Sequence, residues 1–159
     1  MTETHLTTGA SSPFRRLLPL TAQSSRALDD AFTQGRPGVI PDKVTSGIGL
    51  VWTGTWISLP LAWFFWLVFW KGKIFDRQGG HVVNRVLPFD IPAIRAAVRT
   101  GDSTFDGRPC VVIDYSERWL IGRMVRDEIR EIEPGVHLGL MFVFGRRVMK
   151  FALTEHDSA

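Results

Sequence analysis

The chain has 159 residues, one cysteine and a formal charge of +3, a length that fits one domain with appendages. A single thiol excludes a disulfide framework and a cysteine-built zinc site, and four histidines without paired spacing give no metal centre. The basic residues are spread out rather than bunched with exposed aromatics, which argues against nucleic-acid binding.

Residues 1–20 are rich in Thr, Ser and Pro and read as a flexible tail. The apolar stretch after Arg15-Arg16 ends at Leu20, too short for a signal peptide, and no small-residue cleavage pattern follows. Residues 21–43 form a short helix and linker. Thr21 or Ser24 can cap the helix, Leu28 and Phe32 share a face, and Gly35 closes it. Gly35-Arg36-Pro37-Gly38 then reads as a turn.

Val44 to Trp70 carries no charge and holds five of the six tryptophans. A spanning helix needs about 20 apolar residues, so this segment predicts a long apolar, membrane-associating helix. On such a helix Trp52, Trp56, Trp63, Trp66 and Trp70 fall within an arc of roughly 80°, a stripe suited to membrane contact. Pro60 should kink it. The segment therefore reads as a single span, as an interfacial or re-entrant insertion, or as a helix buried in a soluble core. The cationic residues after the run (Lys71, Lys73, Arg77, Arg85) outnumber those before it (Arg26, Arg36, Lys43), which places the carboxyl domain on the cytoplasmic side of a membrane.

Residues 71–153 change to a strand pattern, with 154–159 as a tail. Lys73–Asp76 and His81–Leu87 read as strands around Gly79-Gly80, whereas 91–104 fits either helix or strand. Asp106-Gly107 predicts a type I′ hairpin into a strand over Arg108–Tyr115. Arg123–Ile132 also carries a helical stripe, but the type II signal Pro134-Gly135 and the alternation through Val136–Phe144 favour a strand. Gly145-Arg146 then turns the chain into Arg147–Leu153. The fold expected is α+β: a small antiparallel β-barrel or curved sheet preceded by a short helix and the long apolar helix.

Six blocks carry a resemblance over roughly residues 20–153, tightest from 70 to 140. They are Trp70-Lys71-Gly72-Lys73-Ile74-Phe75, Val83-Asn84-Arg85, Ser103-Thr104-Phe105-Asp106-Gly107, Ile113-Asp114-Tyr115-Ser116, Val125-Arg126-Asp127-Glu128-Ile129-Arg130-Glu131 and Pro134-Gly135-Val136-His137-Leu138-Gly139. In these the chain resembles a group of uncharacterised bacterial proteins that looks like a lipocalin-style barrel. The resemblance implies a fold and no settled activity.

Candidate ligand contacts are Asn84, Asp114, Tyr115, Arg126, Glu128 and Arg130. On a strand Arg126, Glu128 and Arg130 share one face, which either lines a cavity and grips an anionic headgroup or forms solvated cross-strand ion pairs. The other face carries Val125, Asp127, Ile129 and Glu131. Asp114 follows an apolar run and must be paired or raised in pKa. No nucleophile elbow, phosphate loop or zinc-protease motif is present, and no catalytic residue or cofactor is assigned. The expected function is a membrane-associated protein that binds a lipid or other hydrophobic molecule in its barrel. The alternatives are an enzyme on a lipophilic substrate, with Asp114, Asp127 or Glu128 as acid or base, and a ligand-free anchored interaction protein.

Overall fold

The computed structural model describes residues 13–38, 45–52, 70–76, 78–86, 91–115 and 125–155. Two helices come first, α1 (Pro13–Thr21) and α2 (Ser25–Gln34). Eight strands follow: β1 (Thr45–Trp52), β2 (Trp70–Asp76), β3 (His81–Val86), β4 (Ile91–Asp102), β5 (Pro109–Asp114), β6 (Val125–Glu133), β7 (Val136–Val143) and β8 (Arg146–Glu155).

The strands form one sheet in the order β1-β8-β7-β6-β5-β4-β3-β2, with every neighbouring pair antiparallel. The two ends of that order come together. Thr45 Oγ1 donates to the Lys73 carbonyl at 2.9 Å and accepts from the Lys73 amide at 3.1 Å. The sheet is therefore an up-and-down barrel, nearly closed, with a side-chain hydroxyl bridging the β1–β2 seam. The β1–β2, β3–β4, β5–β6 and β7–β8 connections lie at one end, here the upper end. The β2–β3, β4–β5 and β6–β7 connections lie at the lower end.

The long helix expected over 44–70 is corrected at its start, because residues 45–52 are strand β1, laddered onto β8. The reason lies in what covers each face. Gly47 and Gly49 pair with the inward residues Leu153 and Phe151, while Ile48 and Leu50 pack outward against the helix-covered core. With glycines on the inner side and Ile48 and Leu50 on the outer, the strand has no charged face and shows no polar–apolar alternation. The remainder of the run, 53–69, with Trp56, Trp63 and Trp66, lies outside the described residues. Among those described, no helix is long and apolar enough to cross a membrane.

Two apolar layers result. Inside the barrel, Phe75, Val82, Ala96, Val98, Val111, Ile113, Ile129, Phe151 and Leu153 pack together. Outside it, Leu17 and Leu20 of α1 and Leu28 and Phe32 of α2 cover Val136, Leu138, Leu140, Phe142 and Ala152. Helix α1 thus begins inside the stretch expected to be a tail, because its two buried leucines share one face. Ser24 caps α2 as expected, accepting from the Ala27 amide at 3.1 Å. Gly35 closes it with φ −62°, not in a left-handed turn. A Cβ there would stand 3.0 Å from Arg130 Cβ, so close approach to β6 is what selects glycine.

The ambiguous stretch 91–104 is the strand β4, and Val125–Glu133 is a strand as expected. The hairpin after β4 is present but is not type I′. Only Gly107 has positive φ there, and the Gly107 amide bonds the Ser103 carbonyl at 2.8 Å. Positive φ at two successive residues occurs instead at Phe144 (51°) and Gly145 (74°), the turn between β7 and β8. Gly135 has φ +71°, as a type II turn after Pro134 requires. Strand β8 runs to Glu155, two residues into the expected tail.

Candidate functional site

Alternation assigns each residue of β6 to a side. Asp127 pairs with the inward-facing Ile113 and Met141, so it points into the barrel along with Val125 and Ile129. Arg126, Glu128 and Arg130 therefore point outward.

The outward face is structural. Arg130 is 1% exposed and lies over the Phe32 ring at 4.5 Å. It makes two 2.7 Å bonds to Asp106 and donates to the carbonyls of Phe32, Pro109 and Arg108. This ties β6 to α2 and to the β4–β5 turn. The Arg130 hydrogen bonds hold the Asp106 carboxyl below its ordinary value, against the opposing effect of burial. Glu128 accepts from Ser103 Oγ at 2.5 Å and the Thr104 amide at 2.8 Å, and pairs with Arg126 Nε at 2.8 Å. Both of its oxygens are engaged in fastening the same turn. Lys150 and Arg147 grip Ser25 and Asp29 of α2 in the same manner.

Asp114 also lies on the outer face, paired across the strands with Arg126. The backbone of Asn84 pairs with Lys73 and Ile94. Tyr115 is brought into the interior, and there it meets two residues that were not singled out as ligand contacts.

These two are Lys73 and Asp127. Lys73 Nζ donates to Tyr115 Oη at 2.6 Å and to Asp127 Oδ2 at 2.8 Å, and Tyr115 in turn donates to Asp127 Oδ2 at 2.9 Å. The side chains of Lys73 and Asp127 are 2% and 6% exposed. Burial by itself pulls the Lys73 ammonium down, but the charge and hydrogen bonds of Asp127 and Tyr115 outweigh it and leave it above the ordinary lysine value. The ammonium also stands 5.3 Å from the Tyr115 ring centroid and 5.7 Å from that of Phe151. The second oxygen, Asp127 Oδ1, is buried without a hydrogen-bond partner.

Below this triad the lumen is filled. The Phe151 ring occupies the space over Gly139, where a Cβ would come within 2.2 Å of ring carbons. Val111, Ile129 and Leu153 around it are fully buried. Level with Asp127, Met141 and Met149 are only partly buried, as is Val125 one inward step above, while Val143 beside Val125 is buried. The interior is thus solid at the lower end and less tightly covered toward the upper one. Among the described residues no three His, Cys, Asp or Glu side chains gather as metal ligands would.

Fold and site together define a nearly closed, eight-stranded up-and-down β-barrel with two covering helices and a buried Lys–Tyr–Asp triad on its inner wall. A crystal structure of a protein from Thermomonospora curvata is similar, with a TM-score of 0.63 and 18% identity over 91% of this chain and 98% of that chain. At that identity the likeness speaks for the fold alone. The chain matches no family model and no curated protein.

Proposed function

We propose that this protein is a membrane-associated barrel that takes a small lipophilic molecule through its upper end. The observation that carries the reading is the gradient of burial along the inner wall. Side chains are fully buried at the level of Phe151, whereas Met141 and Met149 at the level of Asp127 and Val125 one step higher stay partly accessible. Flexible, polarizable methionines suit an apolar site that accommodates ligands of varied shape. Lipocalins hold small ligands in the same kind of eight-stranded barrel.

Topology supports the membrane part of the reading. The uncharged segment 53–69 joins β1 to β2 at the upper end, and residues 116–124, which include Trp119, join β5 to β6 there too. Trp52 ends β1 and Trp70 begins β2, and the other four tryptophans fall in sequence between β1 and β2 or between β5 and β6. The Phe144 turn, 70% exposed, is at the upper end as well. A tryptophan-rich sequence of this kind suits the headgroup region of a bilayer.

Titrating the full chain with the neutral probe N-phenyl-1-naphthylamine tests the binding part. Saturable fluorescence enhancement that is lost in Met141→Arg, with the fold intact by circular dichroism, is the expected result. Absence of saturable binding, or unchanged binding in that variant, overturns the reading and leaves an interaction protein with a filled barrel. Carbonate extraction of membranes carrying the full chain tests the other part. Retention in the pellet means integral insertion and release means peripheral attachment, whereas recovery in the cytosolic fraction before any extraction refutes association.

A further inference from the structure

We infer that the interior site selects the ligand's polar group: it takes a lipophilic molecule that carries a neutral hydrogen-bond donor, a hydroxyl or an N–H, and discriminates against carboxylates. This rests on the binding function proposed above and specifies its chemistry.

The argument begins with the charge balance of the triad. Lys73 supplies one positive charge and Asp127 one negative charge at 2.8 Å, so the cation is already neutralised within the wall. The Tyr115 hydroxyl is committed as well, accepting from Lys73 and donating to Asp127 Oδ2. The unmet hydrogen-bonding capacity of the triad is Asp127 Oδ1, an acceptor with no partner among the described residues, on a residue 4% exposed. Leaving a buried carboxylate oxygen unpaired is costly, and a donor placed against it recovers that cost. A ligand hydroxyl or amide N–H does this. An ester offers only acceptors, and a carboxylate would set a second negative charge against an oxygen already lacking a donor.

Position agrees with this chemistry. Asp127 lies one inward step below Val125 on β6 and faces Met141 across the β6–β7 ladder. A ligand seated among Val125, Met141 and Met149 would lie against the residue that carries Oδ1. The outward arginines, which the sequence offered as anion binders, are spent on Asp106, Glu128 and main-chain carbonyls. No anion-receiving group is thereby left for them to provide at the inner wall.

Competition against N-phenyl-1-naphthylamine with decan-1-ol, methyl decanoate and decanoate tests the inference at constant chain length. Decanol should displace the probe at a concentration about tenfold to a hundredfold lower than the ester, the range for one hydrogen bond to a charged group, with decanoate weakest. In Asp127→Asn the alcohol–ester gap should narrow and decanoate should gain, because the carboxylate that repels it is removed from beside Lys73. An ester or carboxylate that competes as well as the alcohol in the unmodified protein overturns the inference while leaving the carrier function standing. Failure of all three to displace a bound probe, or of the probe to bind, overturns both. The comparison in the unmodified protein decides the matter even if the variant does not fold.

Discussion

Replacing Lys73 by Met should destabilise the protein by about 3–5 kcal/mol, the cost of stranding a buried charge. At 2.8 Å and an effective dielectric constant of about 20, the gross attraction between Lys73 and Asp127 is about 332/(20 × 2.8), or roughly 6 kcal/mol. Desolvating each ion costs several kcal/mol, so the intact pair contributes little net stability beyond an apolar pair of the same shape. The single variant keeps the desolvation of Asp127 and loses the attraction. The double variant Lys73→Met/Asp127→Leu removes both and should return to within about 1 kcal/mol of the original protein, or exceed it. Urea unfolding of the full chain, followed by far-ultraviolet circular dichroism and extrapolated linearly, measures all three. The pH dependence has a definite sign. A lysine raised in the folded state stabilises fully below its unfolded pKa of about 10.4 and loses that contribution as pH rises through the folded value. The stability of the unmodified protein relative to the double variant should therefore be constant from neutral pH up to about 10 and fall above it. A loss below about 1 kcal/mol in the single variant, the range of an exposed pair, would refute the buried triad.

Phe144→Asn should stabilise the protein by about 1 kcal/mol and raise Tm by about 2–4 °C, because asparagine tolerates the left-handed conformation that phenylalanine occupies at φ 51°. The same variant should bind anionic vesicles less well in a sedimentation assay; an unchanged Tm contradicts the turn assignment. Asp106→Asn should flatten the acid limb of the stability curve. A carboxylate lowered by Arg130 stabilises above its unfolded pKa of about 3.9 and loses that contribution as pH falls through the folded value. Calorimetric Tm values across the acid range that fall as steeply in the variant as in the unmodified protein would count against this. Cys110 is buried and its thiol is pushed up to about 11, chiefly by desolvation. It should resist a disulfide-exchange reagent at pH 8 in the folded protein and react promptly in urea.

Much of the β domain was legible because turn chemistry marks its boundaries. Gly79-Gly80, Asp106-Gly107, Pro134-Gly135 and Gly145 each stand between strands, and Ser24 announces α2. Strand β1 was hidden because the test for a strand is polar–apolar alternation, and a strand with glycines facing inward and apolar residues facing α1 has none. Helix α1 was missed because two leucines on one turn are a small signal beside a tail-like composition.

The site divides along the same line. Reading β6 as a strand puts Asp127 with Val125 and Ile129, the apolar set that a barrel turns inward, so its inward direction could have been read from the pattern. The dense Arg126-Glu128-Arg130 face drew attention because it is rich in charge, but charge on an outer face under a helix is used for fastening. Lys73 carries a fainter signal: it shares a strand face with Phe75, and the larger apolar residue sets which face is buried. That this face also holds Tyr115 follows from the closure of the ring, a long-range property no local window contains.

The closure has a mechanical consequence. Seven junctions of the barrel are held by strand pairing, while at the eighth the Thr45 hydroxyl bonds the main chain of Lys73. Parting two such bonds costs about 1–3 kcal/mol, far less than unzipping a ladder such as β7–β8. Thermal opening will concentrate at that slit, and it is β2, carrying Lys73, that swings away. Water admitted there reaches the ammonium before any other part of the interior, so the amide protons along β1 and β2 should exchange earliest of the eight strands.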